Sequence, residues 1–153
     1  MKNRMFVIMF ALMYVVSFAV NFMPAIKFPD LTVDSVHLLT SVLFTMFLLG
    51  SSFSRNPAIQ LFSLIGMIAC VIVFGLHSIE YLVASSVVMD LVISLQYPLY
   101  FVFVVPLFGL NYVSDIDYGT FAALTSIIYG IVFVCLSVMK PSERNVQVEN
   151  ATK

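Results

Sequence analysis

Residues 91–114 read LVISLQYPLYFVFVVPLFGLNYVS, and this stretch decides the fold. It carries no charge, lies between Asp90 and Asp115, and holds Pro98 and Pro106. By length it can cross a bilayer. A hydrocarbon core of about 30 Å takes about 20 helical residues, and this run has 24. Each proline, however, removes a backbone donor and clashes with the turn before it, so the helix is expected to kink or break at Pro98 and Pro106. Whether the run spans or turns back sets the number of crossings for the whole chain.

Four more charge-free runs surround it, at 5–26, 35–54, 56–79 and 118–139, with 22, 20, 24 and 22 residues. Inside lipid the backbone must satisfy its own hydrogen bonds, so each run reads as an α-helix. A membrane barrel would instead show alternating segments of about 10 residues. The expected fold is an all-α, polytopic transmembrane helical bundle with about five membrane segments, near 5–22, 33–53, 57–77, 91–110 and 119–139, in one domain over 1–139. Pro24 and Pro29 are expected to end the first segment. Thr32 or Asp34 is expected to cap the second, and Pro57 suits the first turn of the third. Residues 140–153 read as a polar, disordered tail.

Composition agrees. The chain has 153 residues, 61% apolar and 10% charged, with a mean hydropathy of +1.06. Soluble domains carry about 25% charged residues; fifteen charges cannot cover the outside of a water-soluble fold of this size. A soluble domain, a disordered chain and a disulfide scaffold are excluded. The net charge of -1 leaves no electrostatic footprint for nucleic acid. Cys70 and Cys135 sit in different runs without any CxxC or Cys/His cluster, so no metal site and no cofactor is expected.

Charge signs bear on topology. Lys2 and Arg4 precede the first segment, and Lys27, Asp30 and Asp34 follow it, which places the N-terminus in the cytoplasm. Five crossings would then put three basic residues inside and four outside. Four crossings, with residues 91–110 entering and leaving on one face, would put six of seven basic residues inside and six of eight acids outside. The length of the run tips the reading slightly toward five, and the side of the C-terminus stays open. The N-terminal stretch also resembles a signal peptide, with Ser17-Phe-Ala19 as a small-x-small cleavage site. An uncleaved first helix is the reading adopted, since the apolar run continues to Met23.

Few residues are candidates for chemistry. His77 and Glu80, at i and i+3, share a helix face, and Asp90 follows. Ionisable groups at membrane depth pair and often mark ion or proton paths, and histidine titrates near neutrality. The plainer reading makes 77–90 an interfacial loop. Asp115 and Asp117 read as a solvated turn and a helix N-cap, with no calcium-loop pattern after them. Small residues form two stripes, Ser63, Gly66 and Ala69 in the third segment and Ala122, Ser126 and Gly130 in the fifth, suited to close helix packing. Asn21 and Gln96 read as interhelical amides. Tyr81, Tyr97, Tyr112 and Tyr118 fall where an aromatic belt belongs, whereas Tyr14 and Tyr129 fall mid-run and need hydroxyl partners. Asn150-Ala-Thr152 fits a glycosylation acceptor that matters only in a eukaryotic secretory setting.

No HExxH, GxSxG or P-loop pattern occurs. The function expected is a non-enzymatic accessory, regulatory or protective membrane subunit of the cell membrane. Its expected partners are the bilayer and another membrane protein or a second copy. The alternative is a small transporter or channel subunit with a cation or proton path at His77, Glu80 and Asp90.

Overall fold

The long apolar runs fold into helices whose ends are set by polar residues at the charge breaks. The computed structural model describes residues 2–54, 56–80 and 92–138, and among these there is no strand. Helix α1 spans Lys2–Lys27, α2 Ser35–Gly50 and α3 Pro57–Glu80. After them come α4 at Gln96–Phe103, a 3-10 turn at Val105–Leu110, the single turn α5 at Asn111–Ser114, and α6 at Tyr118–Val138. Four helices, α1, α2, α3 and α6, are long and apolar enough to cross a membrane.

The caps follow the sequence chemistry. Asp34, not Thr32, opens α2: its carboxylate accepts the Val36 amide proton, and His37 turns back onto Asp34 to complete a capping box. Asn56 caps α3 through the Ala58 amide, ahead of Pro57. Asp117 caps α6, accepting from the Thr120 amide at 2.9 Å. One boundary is corrected. The first helix does not stop at Pro24 but runs through it to Lys27, because a proline costs a membrane helix little where neighbouring groups satisfy the freed backbone.

Ring and amide contacts give the directions of the four long helices. Phe6 stacks on Phe47 and Phe10 meets Phe44, so α1 and α2 are antiparallel. Gln60 bonds Ser137 at one end of α3 and His77 meets Asp117 at the other, so α3 and α6 are antiparallel too. Phe62 ties the two pairs together, touching Phe10, Tyr14 and Tyr129. Within this α3–α6 pair the two stripe glycines each lie against a large side chain of the other helix. A β-carbon on Gly66 would stand 3.0 Å from the Tyr129 ring, and one on Gly130 would stand 3.4 Å from the Met67 sulfur. Ser63, Ala69 and Ala122 are buried beside them, with Ser126 half-buried.

Residues 92–114 form a bent hairpin. The chain bends by 69° between Val92–Phe103 and Val105–Ser114. Of the two prolines, only Pro106 stands at this bend; Pro98 falls in the first turn of α4, where no intrahelical donor is required of it. The hairpin starts beside the end of α3, where the Gln96 amide reaches Glu80. It ends beside the start of α6, where Asn111 clamps Ile116 from both sides, donating to its carbonyl and accepting from its amide. Both ends therefore lie at one end of the bundle, shared with Lys27 and Asp34, which we call the mouth. At its deepest point Phe103 packs on Phe62 and Tyr129. Tyr129 is 11 residues beyond Tyr118, about 16 Å of helix, or half of a 30 Å core. By length and apolarity the described residues hold four spanning helices, or five where the bent pair counts as one span. The run is long enough to span, but the break at Val104–Pro106 folds it back, and the ends of α1 and α6 away from the mouth fall on one side.

Candidate functional site at the mouth of the bundle

A broken helix at membrane depth strands backbone carbonyls, and here side chains from three helices cover them. In an unbroken helix the Val102 carbonyl would accept from residue 106, which is proline and has no amide proton; the Tyr14 hydroxyl donates to it instead, at 2.8 Å. The Leu107 amide goes to Val104 in the tighter 3-10 pattern, which frees the Phe103 carbonyl, and the Tyr129 hydroxyl takes that one at 3.0 Å. The Pro106 carbonyl receives the Ser17 and Ser41 hydroxyls and the Asn21 amide. Asn21 also donates to Ser41 at 2.9 Å and to the Ser17 carbonyl at 2.8 Å, and the Gly109 amide closes the knot on Ser41 at 3.0 Å. Gly109 is required there: a β-carbon would lie 2.0 Å from the His37 carbonyl oxygen. Val104, Val105, Leu107 and Phe108 are fully buried, so the break itself lies within protein, while Val102 just before it is half-exposed.

Nearer the mouth the ionisable groups gather around His77. Its Nε2 stands 3.0 Å from Asp117 Oδ1, and its Nδ1 stands 3.7 Å from Glu80 Oε2. Glu80 is held by the Gln96 amide at 3.3 Å and by the Tyr118 hydroxyl at 3.2 Å. The Tyr118 ring lies against the imidazole, with centroids 4.3 Å apart. Gly119 makes room for that imidazole, since a β-carbon there would fall 2.0 Å from its Cδ2. Partial burial works to raise the Asp117 carboxyl. Hydrogen bonds from Thr120 and the nearby imidazole outweigh it and hold Asp117 below the usual carboxylate range. The two carboxylates flank opposite nitrogens of one ring, one at hydrogen-bond distance and one beyond it. Among the described residues no group of three such side chains is placed to hold a metal ion.

Beside this cluster lies a cavity of about 320 Å³ between the end of α1 and the start of the hairpin. Ala25, Phe28, Tyr97, Tyr100, Phe101 and Tyr118 line it. Tyr100 is 5% exposed and fixed by its hydroxyl on the Ala25 carbonyl, and its ring meets Tyr118 edge-on at 5.5 Å. Comparison of the chain with protein families, with curated proteins and with solved structures finds no match.

Of the residues singled out from sequence, His77 and Glu80 do meet, while Asp90 lies outside the described residues, as does the tail 140–153. Asp117 was expected to be only a solvated cap. It is a cap, but it also reaches His77, 40 residues earlier in the chain (117 − 77). Its partnership shows only once α3 and α6 are paired antiparallel. Gln96, expected as an interhelical amide, has Glu80 as its partner. Tyr14 and Tyr129 find the hydroxyl partners they need, both on the broken hairpin.

Proposed function

We propose that this chain is a non-enzymatic accessory or regulatory subunit of the cell membrane that works through helix contacts in the bilayer. The observation that carries the reading is the buried break in the hairpin. A conducting route at mid-depth needs exposed polar groups, whereas here the carbonyls freed at the break are occupied by Tyr14, Tyr129, Ser17, Ser41 and Asn21. Gly66 and Gly130 lie against Tyr129 and Met67 inside the α3–α6 pair, and an outside partner or lipid meets large apolar rows. Such rows run along α1 through Ile8, Leu12 and Val15 and along α2 through Leu39, Leu43 and Met46. Lys2 and Arg4 at the start of α1, with Asp34 and Asp117 at the mouth, support a cytoplasmic N-terminus, and the end of α6 away from the mouth supports a C-terminus on the same side. Affinity capture of the full chain from its native membrane should recover a membrane partner or a second copy in fixed stoichiometry, and recovery of the chain alone as a monomer would refute the reading. Reporter domains fused at Met1 and Lys153 should both report the cytoplasm.

A second reading, a cation or proton path at His77, Glu80 and Asp90, is favoured by the imidazole set between Glu80 and Asp117. Purified chain in vesicles holding a pH-sensitive dye separates the two. No proton flux under an imposed gradient supports the first reading; flux abolished by Glu80→Gln establishes the second.

A further inference from the structure

The aromatic cavity at the mouth is the feature that neither reading uses. Three tyrosines and two phenylalanines line it together with Ala25 and Ile26, and Tyr100 is held by its hydrogen bond to the Ala25 carbonyl. At about 320 Å³ it lies at the small end of ligand sites, which run from about 300 to 1,000 Å³. Aromatic rings carry negative faces that attract cations, and boxes of such rings recognise ammonium groups. The electrostatic setting has the matching sign. Tyr118, one wall of the cavity, donates its hydroxyl to the Glu80 carboxylate, which places a counter-charge one ring away. The mouth as a whole carries Asp30, Asp34, Glu80, Asp115 and Asp117 against Lys27, with His37 and His77 between them.

We propose that this cavity binds a small organic ammonium ion, caged by Tyr97, Tyr100, Phe101 and Tyr118 with Glu80 as its counter-charge. The ammonium is either a free solute or the headgroup of a lipid, since the cavity lies at the mouth, where the bundle meets the membrane surface.

The test uses the full chain in phosphatidylglycerol nanodiscs, whose lipid offers no ammonium group, titrated with tetramethylammonium by calorimetry. tert-Butanol, similar in shape and uncharged, is the control. Saturable binding of tetramethylammonium is expected, with tert-butanol about 2- to 30-fold weaker, the span of a cation–π contribution. Tyr97→Leu, at a half-exposed wall, should weaken it within the same range while leaving the unfolding midpoint in place, and Glu80→Gln should weaken it as well. Absence of saturable binding, equal binding of tert-butanol, or an unchanged affinity in Tyr97→Leu would overturn the proposal. Repeating the titration in phosphatidylcholine nanodiscs distinguishes the sources. A weakened apparent affinity identifies the lipid headgroup as occupant, and an unchanged one identifies a soluble ammonium.

Discussion

Gly109→Ala is the sharpest perturbation of the hairpin. The added β-carbon would stand 2.0 Å from the His37 carbonyl oxygen, 2.3 Å from its carbon and 2.6 Å from Ser41 Oγ. The first two are α2 backbone and cannot rotate away. Ordinary contact begins at 3.4 Å, so the 3-10 turn must withdraw by 1.4 Å (3.4 − 2.0). That displacement breaks the 3.0 Å bond from the Gly109 amide to Ser41. Overpacking of this kind costs about 1–3 kcal/mol and a lost hydrogen bond about 0.5–1.5 kcal/mol, so the expected destabilisation is about 2–4 kcal/mol. Reversible unfolding in bicelles by added denaturing detergent reads the total, and amide exchange should rise first across residues 105–110. Gly75→Ala is the matched control: nothing lies within 4 Å of its β-carbon, and alanine in a helix interior gains about 0.5–1 kcal/mol over glycine. If both variants unfold at the same midpoint, the close approach of hairpin and α2 is not as described.

Tyr129→Phe keeps the ring against Phe62 and Phe103 but removes the donor to the Phe103 carbonyl. A loss of about 0.6–2 kcal/mol is expected in the same unfolding assay, and no loss would mean that the carbonyl finds another donor. Asp117→Asn keeps a side chain able to cap α6 while removing the charge. The Asp117 carboxyl is held below its ordinary value in the fold, so its contribution is complete above about pH 4 and fades as pH falls through the folded value. Stability measured from pH 5 downward should therefore fall less steeply in the variant, and identical acid limbs would refute the role given to that carboxylate.

The helix count and most helix ends were legible because fifteen charges in 153 residues can be tolerated only between spans. Asp34, Asn56 with Pro57, and Asp117 mark starts that local chemistry alone dictates. The path of residues 91–114 was not legible from length, because a reversed run and a spanning run bury the same apolar residues. At the mouth, the i, i+3 relation of His77 and Glu80 is local and was readable. Asp117 and Tyr118 join them only through the register of α3 against α6, which small-residue stripes suggest but do not set. Asn21 looked like ordinary packing glue; its part in the hairpin follows from the Pro106 carbonyl, which no sequence pattern places opposite it.

The capped hairpin has a consequence for how the chain is made. Ribosomes deliver residues in order, and the hairpin emerges after α1 and α2 but before α6. Tyr14, Ser17, Asn21 and Ser41 already exist when Pro106 appears, whereas the donor for the Phe103 carbonyl, Tyr129, is synthesised 26 residues after it. Until α6 is in place, the reversed segment has one bare carbonyl at its deepest point and only part of its protein covering. Truncation before Tyr118 is therefore expected to leave the Phe103 carbonyl without its donor as well as to remove the last helix.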